Sequence, residues 1–229
     1  MQVKIFSTLI LLLFLSGCAT VQHPVSLNTE LLTNPQARIG IIVDTPLNTS
    51  LVFPGADCLL CLASASAINS ELSKFAKSLS TEELKTLSVD LSAVFKSRNI
   101  DSLVIEEPLE IDKLPKTKKL GDGFAKRDFS TYAEKYQLQH LVVIDIHRAG
   151  LIRSYSSYIP LGPPQAEIWG DAYMVDLTTH KYDWYLPFEM YLSASDKWDE
   201  PPEFPGLTNA YYQLLERVRD HVTDPFSKP

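Results

Sequence analysis

Between His140 and Ile152 the chain reads HLVVIDIHRAGLI, its strongest β-forming segment. A strand this apolar is stable only inside a sheet, so the rest of the chain must supply neighbours for it. Two follow directly. Glu167 to Leu177 forms a second strand after a Tyr-, Pro- and Gly-rich loop, and Tyr182 to Leu192 a third after the turn Thr178-Thr179-His180-Lys181. In the third, Tyr182, Trp184, Leu186, Phe188, Met190 and Leu192 alternate onto one face, the signature of a sheet with one packed side. These three strands predict an antiparallel meander.

Upstream, Arg38 to Asp44 (RIGIIVD) reads as a buried first strand and Ile100 to Glu107 as another. Between them lie two helical patterns. Leu62, Ala65, Ile68, Leu72, Phe75 and Leu79 recur at intervals of three and four, and Ser80 with Glu83 opens a second helix through about Lys96. A short helix falls near Asp128 to Gln137, and a last amphipathic one carries Leu207, Tyr211, Leu214, Val218 and Val222 inward. The order predicts a single α/β domain, a mixed sheet with helices packed on it and a C-terminal antiparallel meander. With 229 residues, 45% of them hydrophobic and 21% charged, the chain can fill one such core. Its formal charge of -7, with no basic run beyond Lys116-Thr117-Lys118-Lys119, argues against nucleic acid as a partner.

Met1 to Gly17 places one positive charge, Lys4, before an apolar stretch from Leu9 to Leu15 that is short for a membrane span. It reads as a signal peptide over residues 1–17. Leu15-Ser16-Gly17-Cys18 closes it and resembles a bacterial lipobox, which implies cleavage before Cys18, a diacylglyceryl thioether on its sulfur and an acylated amine. Several acyl chains would anchor the protein stably, where one would not. Ala19 follows the cysteine where the resemblance would put Asp in an inner-membrane lipoprotein. The implied location is therefore the outer membrane, with residues 18–36 as a lipidated tether and residues 37–229 as a periplasm-facing domain.

Within residues 127 to 192, a surface turn after a helix, the strand HLVVIDI and the hairpin YMVDLTTHKYDWY resemble the periplasmic domain of envelope lipoproteins of the curli-secretion-channel and penicillin-binding-protein-activator type. The resemblance implies the fold rather than a function.

Chemistry is sparse. Cys58-Leu59-Leu60-Cys61 leaves an even pair once Cys18 is lipidated, and an oxidising compartment favours a disulfide. At a helix start the pair could exchange thiols, yet its Leu-rich setting favours a structural disulfide or buried thiols. His23, His140, His147, His180 and His221 stand without paired-ligand spacing, so no metal is expected. No G-x-S-x-G, H-E-x-x-H or Walker motif occurs, no cofactor is expected, and acids such as Asp171 with Asp176 or Asp199 with Glu200 read as turn or solvated carboxylates. Two loops carry unusual aromatic and apolar residues. Tyr155, Tyr158 and Ile159 lie in one, Trp198 and Phe204 in the other, as candidate partner contacts unless they fold back over the sheet edge.

The sequence thus predicts a non-enzymatic, membrane-anchored envelope module that binds a protein partner or itself in assembly or export. The alternatives are a thiol-disulfide protein using Cys58 and Cys61, or a glycan-binding module using Trp198 and nearby acids. The anchor is directly testable: Cys18→Ser should leave the precursor uncut or release a soluble protein, and mass spectrometry of the mature N-terminus should find lipid on Cys18 of the parent chain. An unmodified N-terminus downstream of Cys18 would refute it.

Overall fold

The structure, a computed structural model, describes residues 21–33, 37–46, 48–119 and 121–227. The lipidation position Cys18 lies outside them. Strand β1 (Arg38–Asp44) is followed by β2 (Ser50–Val52), helices α1 (Leu59–Ile68), α2 (Ser70–Ala76), α3 (Glu82–Lys85) and α4 (Leu87–Ser97), and strand β3 (Asp101–Val104). Then come α5 (Ser130–Tyr136), β4 (His140–Ile152), the small strands β5 (Tyr155–Ser156) and β6 (Ile159–Pro160), β7 (Gln165–Asp176), β8 (Tyr182–Ser193) and α6 (Pro205–Ser227).

The sheet runs β3-β1-β4-β7-β8, with β1 parallel to β3 and β4, and β4, β7 and β8 forming the antiparallel meander. This is the α/β mixed sheet that the sequence predicts. Strand β4 is long enough to take two partners in line on one side. Its first half pairs with β1 from Ile39↔His140 to Asp44↔Asp145, and its far end with β2 from Ser50↔Gly150 to Val52↔Ile152. Gly150 makes the second pairing possible: its φ is +143°, and a Cβ there would stand 2.2 Å from the Ser50 carbonyl oxygen.

A strand apolar on both faces must be covered on both. On one face Ile39, Ile41, Val142, Ile144, Ile168, Met174 and Trp184 meet Leu91 and Phe95 of α4 and Tyr211, Leu214, Val218 and Phe226 of α6. On the other, Ile42, Leu141, Val143, Tyr173 and Val175 are roofed by Ile105, Leu109, Phe129, Tyr132 and Leu138 from the segment between β3 and β4. That roof covers only the end of the sheet where β4 begins.

Three expectations change. The apolar stripe from Leu62 to Leu79 is broken at Asn69, where α1 ends and α2 begins. Helix α1 turns Cys61 and Ala65 inward, against Tyr155 and Ala56, and leaves Leu62 and Ile68 exposed. The alternation of β8 also slips: Met174 faces Trp184 but Val175 faces Tyr182, so Asp183 is an extra residue and Tyr182 joins the second cluster. Thirdly, residues 21–33, read as part of a tether, lie against the sheet. Val25 bridges Tyr185, the Asn28 amide donates to the Asp183 carbonyl, and Leu32 is buried because Leu27, Leu31 and Leu32 present an apolar edge.

Candidate functional site

Two regions gather side chains that the fold itself does not require. The first is a tip beyond the far end of β4. The Tyr155 amide donates to the Pro54 carbonyl and the Ser157 amide to that of Gly55, so the β5–β6 hairpin is strapped to the segment leading into α1. Arg153 ties the tip to the body: its Nη1 donates to Asn69 Oδ1 (2.7 Å), its Nε to the Gly162 carbonyl (3.1 Å), and its guanidinium lies 4.7 Å from the Trp198 ring centre. Asn69 Nδ2 donates in turn to the Tyr155 hydroxyl at 2.7 Å.

This scaffold displays Leu59 (89% exposed), Leu60 (72%), Leu62, Tyr158, Ile159 (68%) and Leu161. No charged residue occurs in 58–70 or in 154–164. Isolated exposed apolar residues are ordinary, but a grouped and uncharged set marks a contact surface.

Of the predicted contact residues, Tyr158 and Ile159 are exposed, whereas Tyr155 is buried. Its ring fills the space beside Cys61, Ala65 and Phe53 that α1's small residues leave open. Phe204 is buried as well, 5.1 Å from the Phe75 ring, and Trp198 is half-buried beneath Arg153, so neither offers a free aromatic face. Cys58 and Cys61 sit at disulfide distance, with Cα atoms 4.9 Å apart. Their environments differ. Cys61 is buried, while Cys58 is exposed, caps α1 and accepts the Cys61 amide on its sulfur at 2.9 Å. The leucines that were expected to bury both sulfurs point into solvent instead.

The second region lies on the roofed face and is built by a β-bulge. Strands β4 and β7 pair Ile146 with Gly170 and then Arg148 with Trp169, so His147 is an extra residue in the ladder. A bulge re-aims the side chain it carries. Here His147 Nε2 lies 2.9 Å from Asp171 Oδ2, and its Nδ1 lies 3.5 Å from Asp145 Oδ1. Asp44, Asp145 and Asp171 stand in register across β1, β4 and β7. The Tyr185 hydroxyl donates to Asp171 at 2.8 Å.

A cavity of about 220 Å³ opens over this cluster, walled by Tyr173, Tyr182, Tyr185 and Phe129. Burial raises the Asp145 pKa to about 6, the nearby Asp44 and Asp171 charges adding to the push against the opposing pull of His147. Burial works upward on Asp171 too, but the hydrogen bonds from His147 and Tyr185 outweigh it and leave its pKa low. The bond to Asp171 holds the His147 pKa above its usual value. Beside the cluster, Arg148 grips the fully buried Glu167 through two 2.6 Å bonds and stacks 5.1 Å from the Trp169 ring centre.

Sequence reasoning did not find this cluster, because it depends on a bulge and on three separate strands. The available signal was Asp145 and His147 two residues apart in an otherwise buried strand. Among the described residues no group of three or more His, Cys, Asp or Glu side chains is arranged to hold a metal ion.

No protein-family model matches the chain, and no curated protein matches it in sequence. Solved structures align over most of its length. A PelC dodecamer from Paraburkholderia phytofirmans has 8% identity and a TM-score of 0.40, covering 90% of this chain and 96% of that one. A Xanthomonas campestris protein described under DUF330 has 9% identity and a TM-score of 0.36, covering 90% and 93%. A lipoprotein from Neisseria meningitidis has 13% identity and a TM-score of 0.30, covering 81% and 99%. The functional reading rests on the chain's own geometry.

The charge cluster sets a pH dependence with a definite sign. Because the folded-state pKa of His147 is raised, its stabilising contribution is complete below the unfolded value of about 6.5 and is lost as pH rises through the folded one. His147→Gln should therefore cost about 1 kcal/mol near pH 5.5 and progressively less toward pH 9, measured by urea unfolding. An equal cost at both ends would show that packing, and not charge, is what His147 supplies.

Proposed function

We propose that the chain is a lipid-anchored envelope lipoprotein of the outer membrane whose periplasmic domain is a non-enzymatic binding or assembly module. The observation that carries this reading is the uncharged apolar tip formed by α1 and the β5–β6 hairpin. Residues 21–28 run beside the start of β8, at the end of the sheet where β4 begins. Cys18 precedes Val21 by three residues, a reach of about 10 Å. The tip stands past the other end of β4, whose 13 residues span about 40 Å. A lipid on Cys18 would hold the first end at the bilayer and turn the tip into the periplasm. The surface then suits a protein partner or a second copy better than the anchoring membrane. Among the described residues no helix is long and apolar enough to cross a membrane.

In intact envelopes, a photo-crosslinking residue in place of Leu60 should couple the chain to a protein or to another copy, whereas the same residue at Thr178 should not. The pair Leu59→Ser and Ile159→Ser should abolish that product while changing stability by no more than about 0.5 kcal/mol, as expected of exposed positions. Crosslinking that is absent at the tip, or equal at both ends, would count against the reading.

One observation favours a second reading, thiol-disulfide exchange. An exposed cysteine that caps a helix and is followed three residues later by a buried one has an attackable sulfur and a helix N-terminus to stabilise its thiolate. Titration in a glutathione redox buffer separates the two roles. An exchanger should show an oxidising midpoint and rapid alkylation of Cys58 alone, while a structural bridge should resist reduction and react slowly.

A further inference from the structure

The cavity over the β-bulge leaves two of its polar groups unserved. Tyr173 is more than nine-tenths buried, its ring held between those of Phe129, Tyr182 and Tyr185 at 5.5 to 6.3 Å. Its hydroxyl makes no hydrogen bond to the described residues, and it is not among the sealed polar atoms left without a partner, so it keeps contact with solvent. Burial raises the pKa of that phenol and the charges of Asp145 and Asp171 add to it; all three residues line the cavity. Asp145 is the second such group. Its one ion pair among the described residues is with His147 at 3.5 Å, and it accepts no hydrogen bond from them, whereas Asp171 is served by both His147 and Tyr185.

The neighbouring cations leave the position open. Arg127 is committed to Asp112 (2.9 Å) and to the Leu114 carbonyl (3.0 Å). Lys126 is exposed at the rim, where its charge reaches Asp171. His147 is shared between Asp145 and Asp171. The three carboxylates of Asp44, Asp145 and Asp171 thus face two cations, the His147 imidazolium and the rim ammonium of Lys126, and only His147 is paired with Asp145. Aromatic faces above a carboxylate attract a cation, and two acceptors at the base of the cavity call for N–H donors. A volume of about 220 Å³ has room for roughly seven waters, or a small organic group.

We infer that this cavity is a binding site for a primary ammonium group, which would donate to the Asp145 carboxylate and the Tyr173 hydroxyl and lie against the rings of Tyr182 and Tyr185. Gln22, just inside the start of the described chain, also lines the cavity. The ammonium could therefore arrive on a soluble amine or on the headgroup of an aminophospholipid. The site is separate from the tip, so its test does not depend on the partner reading.

The experiment titrates the full-length mature protein in detergent with ethanolamine, following tyrosine fluorescence and calorimetry, and in parallel measures binding to phosphatidylcholine vesicles with and without phosphatidylethanolamine. Ethanolamine should bind, with tetramethylammonium at least tenfold weaker because it has no N–H to donate. Binding should weaken at least tenfold in Asp145→Asn and several-fold in Tyr173→Phe, stay unchanged in Glu216→Gln, an exposed position on α6 outside the cavity lining, and fall in the parent chain as pH drops below about 6 and Asp145 takes up a proton. A response confined to phosphatidylethanolamine vesicles and lost in Tyr173→Phe would identify the lipid headgroup as the source. Absence of both responses, or ethanolamine binding indifferent to pH and to Tyr173→Phe, would overturn the proposal. The pH series on the parent chain and the near-isosteric Tyr173→Phe keep the test decisive even if Asp145→Asn does not fold.

Discussion

The architecture depends on β4 being buried along nearly its whole length. A strand that hides both faces needs a cover on each, and two neighbours to satisfy its backbone groups. The chain meets this with α4 and α6 on one side, the β3–β4 segment on the other, β7 along one edge, and β1 and β2 end to end along the opposite edge. The helices cover most of their face but the β3–β4 segment does not. The uncovered part is where polar side chains can stand on the sheet without being sealed from water, and Asp145, His147, Arg148 and Trp169 all stand at or beyond the border of that roof.

Much of this was legible in the sequence. Period-two and period-3.6 patterns located the long strands and the last helix, because those elements bury a continuous stripe and the stripe is written directly in Leu, Val, Ile and aromatic positions. Two failures share a cause. Asn69 interrupts a stripe whose spacing continues through it, and Asp183 shifts an alternation that continues past it. In each case a local break changes the phase of the side chains without changing the type of element, and periodicity cannot register a change of phase. The exposed leucines of α1 and the placing of Tyr182 on the opposite face from Trp184 both follow from this.

The candidate sites were less legible for a different reason. Loop aromatics could be recognised as unusual, but whether a given ring points out or in depends on what fills the space behind it. Tyr155 turns inward beside the small Cys61 and Ala65, whereas Tyr158, three residues on, stays exposed. The acid and imidazole cluster brings together β1, β4 and β7, with Asp44 and Asp145 separated by 101 residues of chain and Asp145 and Asp171 by 26, and no spacing rule joins them.

The bulge at His147 bears on how such a surface can arise. An antiparallel pair as long as β4 and β7 would form its ladder without the extra residue, since the apolar pattern resumes on the correct faces at Ala149 and Leu151. One inserted codon in an ancestral strand would suffice to create it, and the kink would be absorbed locally while the flanking register stayed intact. Chemical novelty could thus be acquired in the middle of a sheet at little risk to folding, and among relatives of this chain a length difference of one at that point would track the presence or loss of the cavity's imidazole.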